Sequence, residues 1–255
     1  MNRMDRPKVR KMVAPEVLYE SLASLVLSKP AGLPVIPGRS PEDQDCLRNW
    51  AQKRFPDSRI LVVHRIDKPA SGAVLFARTP EAHRAYSMAF ERGEMDKRYL
   101  AVVDGEACPE SGEITIPLED SEQLRCVVPA CQKENARVLR TGFRVLERFG
   151  HFCLLEVRLW TGFRHQIRVH LKEIGHPLAA DPLYGARGSL YLSNLKGRGR
   201  YRSKEEPEKP ILDRLSLHAL SIRFAEVPSG EIQQVEAPLP RDLAFLLKAL
   251  RKYDT

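Results

Sequence analysis

Residues 59–78 read RILVVHRIDKPASGAVLFAR. Two apolar, β-rich runs at 61–63 and 73–77 flank a polar loop at 64–72, which Pro69 and Gly72 keep out of regular structure. A loop held between two strands presents its polar side chains from a rigid support, as catalytic acids are commonly mounted, and Asp67 in His64-Arg65-Ile66-Asp67 has that placement. Taken alone, the commoner explanation of such an aspartate is a side chain that caps its own turn. Downstream, Thr79-Pro80-Glu81 supplies an N-cap, a first-position proline and an early acid. The helix it opens is predicted to run to Arg92 and to stop at Gly93.

Upstream, residues 17–36 mix short apolar runs with a Lys-Pro-Ala-Gly turn at 29–32, which predicts short strands rather than a long helix. Further strands are predicted at 97–105, 152–160 and 217–227. In 152–160, FCLLEVRLW, alternation places Cys153, Leu155, Val157 and Leu159 on one side. Helical spacing of Ile167, Leu171 and Ile174 predicts a helix over 165–174 ended by Gly175, and Pro240 opens a final amphipathic helix. Strands grouped together with few helices favour an α+β fold over a doubly wound sheet. The chain shows no internal repeat or long linker, and one domain is the simpler organisation.

The chain has 255 residues, of which 41 are Lys or Arg and 33 are Asp or Glu, a formal net charge of +8. That length buries a substantial core without disulfide or metal staples, and 43% hydrophobic residues is ordinary globular composition. No apolar run approaches the roughly 18 residues that a membrane-spanning helix requires. Five cysteines without a CxxC pair fit reduced thiols in the cytoplasm better than a disulfide framework. The positive surplus favours polyanionic partners, nucleic acid first and an anionic membrane surface second. Basic residues crowd at Arg3, Arg6, Lys8, Arg10 and Lys11, and again in KGRGRYRSK at 196–204, which contributes Lys196, Arg198, Arg200 and Arg202. The second run, with two glycines and no hydrophobic period, is expected to be an exposed loop that contacts phosphates.

Two more polar clusters interrupt apolar elements. Lys97-Arg98-Tyr99 opens a predicted strand, where a lone tyrosine is usually core. In 161–171, TGFRHQIRVHL, helical spacing would put Arg164, Arg168 and Lys172 on one face, ordinarily a solvated one. Arg168 also lies at the edge of the buried stripe, from which it can turn inward toward an acid. His165 and His170 are five apart, whereas a helical zinc pair needs four, so a metal site is not expected. Glycine-rich phosphate-binding motifs and a GxSxG elbow are absent, so no nucleotide cofactor or serine nucleophile is indicated.

Together these clusters resemble the RluA-type family of pseudouridine synthases. HRIDKPASG at 64–72 is similar to that family's HRLDxxTSG, KRYLAVV at 97–103 to its tyrosine motif, and TGFRHQIRVHL to TGRxHQIRxHL. LSKPAGLPV at 27–35, GHPLAADPLYG at 175–185, RLSLHALSIRF at 214–224 and APLPRDL at 237–243 match in the same order. The resemblance implies a mixed, mostly antiparallel sheet with flanking helices and a central catalytic cleft. A basic tail at 1–16 is then expected to precede one catalytic domain at 17–255, the N-terminus being too short for the S4 RNA-binding domain that many relatives carry. It gives Asp67 the role of catalytic aspartate, Arg168 that of its partner, and Tyr99 that of a ring packing on the flipped uracil and assisting removal of its C5 proton. Arg65 would help displace the target base, and His64, Arg164, His165 and Gln166, with Lys196, Arg198, Arg200 and Arg202, would contact RNA.

The chemistry implied is isomerisation of uridine in ribosomal or transfer RNA, which involves no redox change or net hydrolysis and so no cofactor. An ionised Asp67 either attacks C1′ or takes the C2′ proton, and a neighbouring guanidinium favours its charged form. The protein is expected to act on RNA as a monomer, away from membranes. Two departures from the family pattern stand out: Phe163 replaces an arginine, with Arg164 one position on, and Ala70 replaces a threonine. They leave open a non-catalytic RNA-binding protein with a retained cleft, whereas a metal-dependent RNA hydrolase lacks its acid and histidine clusters.

Overall fold

The computed structural model describes residues 13–38, 40, 43–105, 108–120, 126–129, 138–196 and 207–254. In chain order its first elements are β1 (Glu16–Glu20), β2 (Ser24–Lys29), α1 (Leu47–Arg54), β3 (Leu61–Val62), β4 (Ser71–Ala77) and α2 (Pro80–Glu91). Next come β5 (Asp96–Asp104), β6 (Ser111–Ile114), β7 (Glu119–Asp120), β8 (Cys126–Val127), β9 (Thr141–Arg148) and β10 (Phe152–Leu159). The chain continues with α3 (Gln166–Glu173), α4 (Leu192–Leu195), β11 (Leu217–Ala225), β12 (Ile232–Glu236) and α5 (Arg241–Tyr253).

The main sheet runs β1-β2-β4-β11-β5-β10-β9-β6, with β12 added to β11 and β3 to β4, while β7 and β8 form a separate ribbon. Only the β4–β11 pairing is parallel among these. The sheet is therefore mixed and mostly antiparallel with flanking helices, the α+β architecture expected.

The sequence of β4, SGAVLFA, is buried at every position, which requires cover on both faces. Ala73, Leu75 and Ala77 pack with Ala82 and Tyr86 of α2. Val74 and Phe76 turn the other way, onto Leu47 and Ala51 of α1. In β10, Cys153, Leu155, Val157 and Leu159 share a core with Ile167 and Leu171 of α3, on the side that alternation indicated. Phe152 and Leu154 are buried as well, because α5 covers the opposite face with Leu243, Leu246, Leu247 and Leu250.

The helix ends follow local chemistry. The Thr79 hydroxyl accepts the Ala82 N–H, Pro80 occupies the first turn, and Gly93 leaves α2 in the left-handed region. At the β4–β11 junction Gly72 has φ +120, and a Cβ there would lie 2.1 Å from the Ala219 carbonyl oxygen. Only glycine lets these two strands approach so closely where the Asp67 loop rejoins the sheet.

Candidate active site

The loop before β4 is anchored from below by a buried cation. The Lys29 ammonium donates to the carbonyls of Pro30, Leu33 and Lys68 at 2.9, 2.7 and 3.0 Å. All three of its protons thus tie the 30–33 turn to the loop, and burial pulls the amine down to about 7. Gly32 N–H adds a bond to the Lys68 carbonyl and Ala70 N–H one to the Asp67 carbonyl. Ala70 is fully buried, so a methyl group fills the position where the resemblance implies a hydroxyl.

Asp67 emerges from this support into a cleft of about 570 Å³ that Arg65, Tyr99, His165 and Arg168 also line. Its Oδ2 accepts a hydrogen bond from Arg168 Nη1 at 3.1 Å. The same guanidinium donates through Nε and Nη2 to the two oxygens of Asp181, both at 2.7 Å. Arg168 is 3% exposed and Asp181 is fully buried, whereas the Asp67 side chain is 20% exposed. One guanidinium therefore bridges a structural carboxylate and one open to the cleft. Asp181 is fixed in turn by the N–H groups of Leu183 and Tyr184, and the Tyr184 ring lies 4.9 Å from the guanidinium carbon. Tyr99 enters from β5, nearly buried; burial and then the negative charge of Asp67 push its phenol above the usual range.

The remaining residues singled out from the sequence divide between cleft, wall and elsewhere. Arg65 is exposed at the cleft mouth. Arg164 lines the cleft and pairs with Asp120 at 2.8 Å. It precedes α3, so the expected face shared with Arg168 and Lys172 does not form: Arg168 is buried and Lys172 is half exposed.

His64 lines the cleft as part of its wall, with Nε2 accepting the Leu75 N–H and its ring stacked on Phe90. Burial, then Lys97, pushes its imidazole down to about 3. Gln166 lines the cleft and braces its wall. Its oxygen accepts from Thr161 and Phe163, and its nitrogen donates to Arg140 and Thr141, which saturates the amide within the chain. Lys196 is not among the residues that line the cleft, and its ammonium lies 4.3 Å from the Tyr253 ring centre. Arg198, Arg200 and Arg202 fall outside the described residues, as does the N-terminal basic cluster.

Against known proteins, residues 23–173 match the family model described as RNA pseudouridylate synthase. The chain belongs to that family. It is 34% identical over 243 residues to the ribosomal large subunit pseudouridine synthase D of Nitrosomonas europaea, covering 92% of this chain and 65% of that protein. The enzyme of the same name from Xanthomonas campestris pv. campestris is 38% identical, with 92% and 69% covered. The chain thus spans about two thirds of the length of these relatives. The solved structure of human RNA Pseudouridylate Synthase Domain Containing 4 superposes with a TM-score of 0.70 at 25% identity, over 92% of both chains.

Sequence reasoning passes over three residues that this synthase fold brings to the site: Lys29, Asp181 and Tyr184. Each lies in a stretch that matches the family pattern, LSKPAGLPV or GHPLAADPLYG, without the match indicating a role for the side chain. The available signal for Asp181 is Asp-Pro-Leu-Tyr, a sequence that forms a turn through its aspartate.

Proposed function

We propose that this chain isomerises uridine within RNA to pseudouridine, with Asp67 as the group that acts on the ribose. The observation that carries this reading is the Asp67–Arg168 contact at 3.1 Å inside a cleft shared with Tyr99. The N1–C1′ bond breaks, the uracil turns, C5 bonds to C1′, C5 releases its proton and N1 gains one. Asp67 starts this sequence either by adding to C1′ or by taking the C2′ proton; both routes begin from the same oxygen. Arg168 orients that oxygen and offsets its charge through a single Nη1 hydrogen bond, while Asp181 holds its Nε and Nη2. Tyr99 takes part as a neutral phenol, a packing face for the extruded base. Arg65, exposed at the mouth, would help displace the target base from its stack.

The names of the bacterial relatives support ribosomal large-subunit RNA as the first substrate to test, ahead of transfer RNA. The free thiols Cys46, Cys108, Cys126 and Cys153 support action in a reducing compartment. The test is incubation of the chain with ribosomal RNA tritiated at uridine C5, with EDTA present. Release of tritium supports the reading; RNA binding without release would make the chain a binding protein, and strand cleavage would make it a hydrolase. Mapping the pseudouridines missing from total RNA in a deletion strain would then name the site.

A further inference from the structure

Tyr184 touches three parts of the site at once. Its ring lies against the Arg168 guanidinium. Its hydroxyl is 2.7 Å from the Cys126 backbone nitrogen and 2.8 Å from His165 Nδ1. Cys126 belongs to the β7–β8 ribbon, which is joined to the cleft rim a second time by Arg164 and Asp120. Leu118, Cys126, Leu139 and Val169 form a small apolar cluster beneath the ribbon, against which Phe163 and Tyr184 pack. Phe163, the departure from the family's arginine, therefore backs the ribbon, while Arg164 supplies the charge that holds it.

This arrangement fixes one hydrogen-bond direction and bears on a second. A backbone N–H only donates, so the Tyr184 oxygen accepts from Cys126. Its own proton is then available for His165 Nδ1, and when Nδ1 accepts it the imidazole carries its proton on Nε2. His165 lines the cleft and, among the described residues, is the one non-glycine with a left-handed backbone, φ 55. Strain of that kind persists only where its surroundings enforce it, and the Tyr184 hydroxyl is one of the contacts that surround His165. The charged groups facing this ring are Asp67, Arg168, Arg164 and Asp181; burial outweighs them and lowers its pKa.

We propose that Tyr184 is a positioning residue: its hydroxyl locks His165 as the Nε2–H tautomer, giving the cleft a neutral donor for a carbonyl or phosphate oxygen of the RNA, and couples that donor to the β7–β8 ribbon. This rests on the function proposed above. The ring of the same residue steadies Arg168, so the hydroxyl and the ring act on different steps.

The test uses the full chain labelled with ¹⁵N-histidine, together with ribosomal RNA tritiated at uridine C5. The wild-type spectrum is expected to show His165 with an unprotonated Nδ1 and a protonated Nε2, and Tyr184→Phe to mix the tautomers. Tyr184→Phe is expected to raise the apparent KM about five- to tenfold, the weight of one hydrogen bond, with kcat within about twofold. Tyr184→Leu, which also removes the ring beneath Arg168, is expected to lower kcat at least about tenfold in addition. A purely structural role would reduce the active fraction and leave KM unchanged. His165→Asn should raise KM similarly, and combining it with Tyr184→Phe should add nothing further. Protonated Nδ1 in the wild type, an unchanged KM in Tyr184→Phe, or multiplying effects of the two substitutions would overturn the assignment. If the wild type releases no tritium, the functional reading fails instead, and the tautomer in the spectrum still decides this one.

Discussion

Arg168 is a buried cation held between two carboxylates, and the two neighbours do different work. Asp181 pairs with it bidentately and out of water, while Asp67 uses one remaining donor at the cleft. Arg168→Ala is therefore expected to reduce tritium release below detection while RNA affinity in filter binding changes only a few-fold. It also leaves Asp181 buried without its partner, which costs about 3–5 kcal/mol of stability in urea titration. Arg168→Lys cannot form the planar fork and is expected to lose turnover as well; a near-normal rate in either variant would separate Arg168 from catalysis.

Three buried histidines, His64, His170 and His218, are held below their usual range by burial and set the acid limit of the fold. Burial pushes His64 down to about 3 and His218 down to about 4, so the native state keeps both neutral. The unfolded chain protonates near 6.5, so it binds more protons below that pH and stability falls as pH drops from 6.5 toward 4. The expected loss between pH 7 and pH 5 is about 2 kcal/mol for each of His64 and His218, read from urea midpoints, and His64→Gln should remove the His64 share of about 2 kcal/mol. Stability that stays level across this range would show that these rings titrate normally.

At the scale of elements, the β4–β11 junction decides where the Asp67 loop sits. Gly72→Ala forces a Cβ onto the Ala219 backbone at a left-handed φ and is expected to cost about 3 kcal/mol or more, measured by urea unfolding. A change below about 1 kcal/mol would mean that the two strands can separate without penalty. The strands and helices themselves are largely legible in the sequence, because their signals are local: the Thr79-Pro80 start of α2, the alternation in β10, the glycine after α3. Burial of Phe152 and Leu154 is not legible, since their cover comes from α5 at the far end of the chain. For the same reason Asp67 announces itself, standing in a polar loop between strands, whereas Asp181 and Tyr184 acquire their roles only through neighbours met in the folded chain. Helical spacing also misplaces Arg164, because the left-handed His165 caps α3, which begins at Gln166, two residues after Arg164.

At the scale of the whole molecule, a net charge of +8 favours binding to RNA phosphates. Neutralising Lys196, Arg198, Arg200 and Arg202 is expected to weaken RNA binding and to flatten its dependence on salt, by up to about 0.7–0.9 in log–log slope for each phosphate that is no longer neutralised. An unchanged slope would make 196–204 ordinary surface. In the proposed mechanism, by contrast, one carboxylate oxygen of Asp67 starts the reaction. The most direct measurement is single-turnover tritium release by Asp67→Asn, which keeps the side chain's shape and removes its charge. The rate is expected to fall at least about a thousandfold, with RNA affinity within about threefold of wild type. Release at a rate close to wild type would contradict the placement of Asp67 at the ribose.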